Sequence, residues 1–234
     1  MTTDMKNRLI DRESIGYILA GILVFGSVWG FLEATLGGFL HMIIFPNKGA
    51  IMGGIGVATM SAALVIFKKP SMAIGIGIVA ASFKLLDAWL FYLPVTSIHI
   101  INPAMAIIFE SLAFSLVAAF AMNKIAKSIP IGIGAGAFVG LISATAWVYF
   151  AIYVMNAPTY ARVVFTAGEF ITNQGVVQAV FFGIFLPLGY LLGGKLQAKT
   201  IPSLARKRLL YYATSAAITV FCWGISIVAT IAGL

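Results

Sequence analysis

Residues 130–154 read PIGIGAGAFVGLISATAWVYFAIYV, an apolar run without a charged side chain. A helix of about 25 residues, rising 1.5 Å per residue, is long enough to cross the roughly 30 Å hydrocarbon core of a bilayer. The run has no period-two alternation, so it is not a strand of a membrane barrel. Its glycines Gly132, Gly134 and Gly136 look like a phosphate-binding loop. No strand precedes them, however, and no acidic residue follows at the expected distance. Together with Gly140 they read as positions where helices pack closely.

The rest of the chain has the same texture. Charges and turn residues divide it into seven apolar segments, at roughly 15–42, 50–67, 71–93, 103–122, 130–154, 171–193 and 210–232. Asn102-Pro103 reads as a helix start, because Asn caps and Pro fits a first turn. The second segment is short and Gly-rich (Gly49, Gly53, Gly54, Gly56), marginal for a full crossing. The first dozen residues are polar and imitate a signal-peptide leader, but the apolar run after them is too long for one and reads as a permanent first span. Across 234 residues, 61% are hydrophobic and only 9% charged, against about 25% charged in a soluble domain. That excludes a soluble enzyme, a disordered chain and a collagen-like fibre. The expectation is an all-α, polytopic membrane bundle forming one domain over residues 1–234. The single cysteine, Cys222, excludes an internal disulfide and any Cys-rich metal or iron–sulfur site.

Orientation follows from lysine and arginine. Lys6, Arg8, Arg12, Lys68, Lys69, Lys124, Lys127, Lys195, Lys199, Arg206, Lys207 and Arg208 fall on one side of the segmented chain. Only Lys48 and Arg162 fall on the other. The N-terminus is therefore expected in the cytoplasm and the C-terminus outside, in a multi-pass protein of the cell membrane. The net charge of +8 is explained by this topology and does not call for nucleic acid.

Four charged residues remain inside apolar segments: Glu33, Lys84, Asp87 and Glu110. Each costs roughly 2.5–3.5 kcal/mol at mid-span, so such residues face a bundle interior or a watery cavity. Counted at 1.5 Å per residue, all four lie roughly 9–14 Å below the outer boundary. Asn173, Gln174 and Gln178 enter from the same side at roughly 3–11 Å. The inner halves of the spans carry no such charges. Lys84 and Asp87, three apart, share a helix face and read as an ion pair or as part of a ligand site. Glu33 and Glu110 have no local partner, so each needs a cross-helix bond, a proton or a ligand. The four are expected to converge on one cavity open to the outside. An excess of carboxylate there favours a cationic or zwitterionic solute, a metal ion or a proton.

His41 and His99 fall near the outer surface and, with Glu33, Asp87 and Glu110, offer metal-ligating residue types. Their spacing matches no metal motif, so no cofactor is expected and a metal ion is the secondary reading. Trp29, Trp89, Trp147 and Trp223 suit interface anchoring or ring stacking. Trp89, two residues from Asp87, is the expected ligand contact. Tyr92, Tyr149, Tyr153 and Tyr160 fit an outer aromatic belt. No nucleophile–base constellation or nucleotide loop is present, so uphill movement of a solute would draw on an ion or a partner ATPase.

In the first span Gly26, Gly30, Ala34 and Gly38 recur every four residues. Such a stripe lets helices approach closely, within the bundle or against a partner. Small size, glycine content, basic charge, an outer polar cluster and this stripe together resemble the substrate-binding S components of energy-coupling-factor vitamin transporters. The resemblance implies a ligand pocket near the outer face. It also implies docking on a transmembrane coupling subunit through Gly26, Gly30, Ala34 and Gly38, with an ATPase module behind it. That family typically has six helices with both ends inside, where seven segments are read here. The expected function is a membrane-embedded binding or transport subunit. It holds a small polar solute through Glu33, Lys84, Asp87, Trp89, Glu110, Asn173, Gln174 and Gln178. Rival readings are a membrane subunit of a redox or metal-dependent complex and a stand-alone ion-coupled transporter.

Overall fold

The computed structural model describes residues 15–155, 166–199 and 208–233. Arg162 and Tyr160, and the basic residues Lys6, Arg8, Arg12, Arg206 and Lys207, lie outside them. Every regular element among the described residues is helical. In chain order these are α1 (Ile15–Met42), α2 (Lys48–Phe67), α3 (Met72–Ser82), α4 (Leu85–Leu90), α5 (Ile98–Ile125) and α6 (Ile129–Tyr153). Next comes α7 (Ala167–Phe170), which runs through a π-helical turn (Ile171–Gly175) into α8 (Val176–Lys199), and last α9 (Arg208–Ile231). Six helices in the described residues are long and apolar enough to cross a membrane, with α7, the π turn and α8 counted as one. Large apolar side chains such as Phe120, Leu209 and Val220 face outward, as hydrocarbon requires.

The third segment departs from the sequence reading. It breaks after the 11-residue α3 and resumes as the six-residue α4. At the break, Phe83 N–H donates to Ala80 and Lys84 N–H to Ala81, bonds one residue shorter than an α-helix makes. The break drives Phe83 into the core, 1% exposed, and turns Lys84 toward α1. Lys84 thus precedes the first residue of α4, and the backbone of Asp87 lies within α4. Asn102-Pro103 is not a helix start either. Helix α5 begins at Ile98 behind Ser97, and Pro103 sits inside it. The missing N–H of Pro103 releases the His99 carbonyl from its helical bond.

Backbone-to-backbone seams hold the bundle together, because lipid supplies no hydrophobic drive between helices. Helix α2 is central and the most deeply buried of the six, with a regular course despite its glycines. Gly189 and Gly193 of α8 press on its Ala58 and Ala62, where an added Cβ at Gly193 would stand 2.6 Å from the Ala62 carbonyl oxygen. Gly136 and Gly140 of α6 press equally closely on the backbone of Phe182 and Ala179 in α8. Ser61 donates from α2 to the Leu186 carbonyl at 2.8 Å, next to Pro187. Helix α9 lies against α1, with Tyr211 stacked on Tyr17 at 4.8 Å and donating to its carbonyl at 3.1 Å.

The first half of the first-span stripe packs within the chain, which corrects its reading as a docking face at Gly26 and Gly30. Gly26 meets Val79 and the Ile76 carbonyl, and Gly30 meets the Phe83 ring, so this face is covered by the chain's own third segment. Ala34 and Gly38, further along, border a cavity.

Candidate functional site

A cavity of about 810 Å³ opens at one end of the bundle, within the range typical of small-molecule sites. It lies among the C-terminal ends of α1, α6 and α9, the N-terminal ends of α2 and α5, the break at Phe83–Lys84, and the start of the α7–α8 span. Lys48 is at this end. Lys68, Lys69, Lys124, Lys127 and Lys195 follow or close helices at the other.

The structure brings Glu33, Lys84, Glu110, Gln174 and Gln178 to this one cavity. The Lys84 ammonium lies 3.5 Å from Oε1 of Glu33, joining the broken segment to α1, with both side chains about one-sixth exposed (16% and 14%). The partner of Glu33 is therefore a lysine some fifty residues away in sequence, invisible to any local spacing rule. Glu110 is deeper, 6% exposed. Gln178 Nε2 donates to its Oε1 at 3.1 Å and to the Ser143 hydroxyl at 3.3 Å, tying α5, α6 and α8 together at the cavity floor. Gly53 makes room for this carboxylate, since a Cβ there would stand 2.5 Å from Glu110 Oε1. The π-helical turn inserts one residue into the span that carries Gln174 and Gln178, and both reach the cavity.

Trp89 and Asn173, two of the other expected contacts, fall elsewhere. Trp89 is 73% exposed on α4 and does not line the cavity. The tryptophan that does is Trp147, beside Phe170 with ring centroids 5.1 Å apart. Trp29 is fully buried against Gly56, a core residue rather than an anchor. Asn173 is exposed and off the lining, one residue before Gln174. Asp87 is placed by its backbone on α4.

At the mouth stand His41, Lys48 and His99. The Lys48 ammonium donates to Nδ1 of His41, which occupies that ring nitrogen. Among the described residues no group of three or more His, Cys, Asp or Glu side chains is placed to hold a metal ion. Lys48, Ser143, Trp147 and Phe170 were not singled out by sequence reasoning as cavity residues. A signal existed for two of them: Ser143 and Trp147 are four apart and so share one face of α6. Lys48 stands out only as one of the two basic residues on its side.

No family model matches the chain, nor does any curated protein or solved structure.

Proposed function

We propose that this protein is a membrane-embedded binding or transport subunit that holds a small cationic or zwitterionic solute in the cavity. The observation that carries the reading is the convergence of Glu33, Lys84 and Glu110, from three segments, on one cavity of about 810 Å³. Intramembrane charges are costly, and a cluster of them around an open volume marks a site for a ligand or ion. Gln174 and Gln178 supply directional hydrogen bonds, while Trp147 and Phe170 supply an apolar wall.

In this reading the broken α3–α4 segment is a seventh crossing, the N-terminus is cytoplasmic, and the cavity faces outward from the cell membrane. The lysine distribution along the chain supports that orientation. The likeness to energy-coupling-factor S components extends to a partner that supplies energy. A coupling subunit would have to dock elsewhere than on Gly26 and Gly30, which α3 and the break already cover.

Native mass spectrometry of the protein purified from its own membranes tests this. The wild-type protein should carry a small non-lipid molecule released on activation. Glu110→Ala should lower its occupancy about tenfold or more, the equivalent of one charge-assisted hydrogen bond. Wild-type protein carrying lipid alone, or equal occupancy in the variant, would contradict it.

A further inference from the structure

The charged groups of the cavity are sorted by depth. Glu33 and Lys84 form one pair and largely cancel each other at a distance. Glu110 remains, buried at the floor, with the neutral amide of Gln178 as its hydrogen-bond donor. A buried carboxyl group with a single amide donor is under-compensated as an anion and is satisfied by a proton or by an incoming cation. At the mouth the sign reverses. Lys48 and His41 form a hydrogen-bonded pair, and His99 stands across from them on α5. The backbone N–H groups that open α2 add to this, since Asn47 provides no side-chain cap. From His99 to Glu110 along α5 is roughly 16 Å at 1.5 Å per residue.

We infer that the cavity is polarised along its axis and seats an amphoteric solute end-on, its cationic group at Glu110 and its anionic group at Lys48. This rests on the solute-binding reading above and adds to it an orientation and a charge separation. A purely cationic solute would leave the Lys48 end unmatched, and a purely anionic one would meet Glu110. The wall between the two poles, with Trp147, Phe170 and Met52, suits an apolar or planar middle section.

Charged thiol reagents measure this polarity without knowledge of the ligand. In a Cys222→Ser background, single cysteines are placed at Ala106, one turn from Glu110 on the lining, and at Gly49, where a Cβ meets open space. Each variant is reacted with a cationic (ethyltrimethylammonium) and an anionic (ethylsulfonate) methanethiosulfonate of similar size. Local reagent concentration follows the potential at the thiol. The cation-to-anion rate ratio should therefore be about tenfold higher at Ala106→Cys than at Gly49→Cys. Adding Glu110→Gln should abolish the cationic preference at the floor, and adding Lys48→Gln the anionic preference at the mouth. Thermal unfolding of each variant confirms that it is folded. Reaction at both positions with equal ratios overturns the polarity and leaves the open cavity standing. If Gly49→Cys reacts and Ala106→Cys reacts with neither reagent, the cavity is closed to water, and the solute-binding reading itself fails.

Discussion

Gly189→Leu is expected to disrupt the bundle, lowering its stability by about 3 kcal/mol or more. The added Cβ alone would overlap the carbonyl oxygen of Ala58 and lie 2.5 Å from its Cα. Both are backbone atoms that no rotamer change can move. Helices in lipid associate through close packing, so separating α8 from α2 removes the contact that holds them. The effect should spread, because α8 also carries the seam with α6 and delivers Gln178 to the cavity floor. Gly194→Leu is the matched control: a Cβ there has no neighbour within 4 Å, and the variant should melt like the wild type. Thermal unfolding and gel filtration in detergent report both. If Gly189→Leu is as stable and monodisperse as Gly194→Leu, the seam does not support the fold.

The second large effect concerns the ion pair. Lys84→Met should destabilise the protein by about 3 kcal/mol, at the low end for breaking a buried pair because water still reaches both groups. The loss comes mostly from Glu33, left in a poorly hydrated place without its cation. Adding Glu33→Gln to Lys84→Met should recover most of the stability, since the orphaned charge is then gone. A double-mutant cycle of unfolding free energies measures the coupling. Simple additivity of the two changes would mean that the 3.5 Å approach of Lys84 to Glu33 contributes nothing.

How far these features can be read from sequence depends on the range of the forces involved. A bundle of membrane helices is legible because span length and the scarcity of charge are local properties, as residues 130–154 show by themselves. That Glu33, Lys84 and Glu110 gather toward one end of the bundle is legible for the same reason, since distance from a span boundary is a count of residues. Direction around a helix axis is not. The stripe Gly26, Gly30, Ala34 and Gly38 announces a close approach without saying to what, and the structure fills its first half with Val79 and Phe83. Trp89 illustrates the same limit. A tryptophan two residues from Asp87 suggests a shared site, yet the break before α4 leaves it exposed, while Trp147 reaches the cavity from another helix. The break is itself a tertiary effect: its i→i−3 turn carries no proline or glycine at Phe83 or Lys84 to announce it. What accompanies it is the packing of Phe83 on Gly30 and Trp223 and the pull of Lys84 toward Glu33.

A solute site built on Glu110 has a direct crystallographic signature. A crystal structure of the protein, extracted from its own membranes and grown in a lipidic mesophase, tests it most directly. Compact non-lipid density is expected between Lys48 and Glu110, in hydrogen-bonding contact with the Glu110 carboxyl group and against the Trp147 ring. A cavity filled by an acyl chain, or closed by side chains moving in around Glu110, would contradict it.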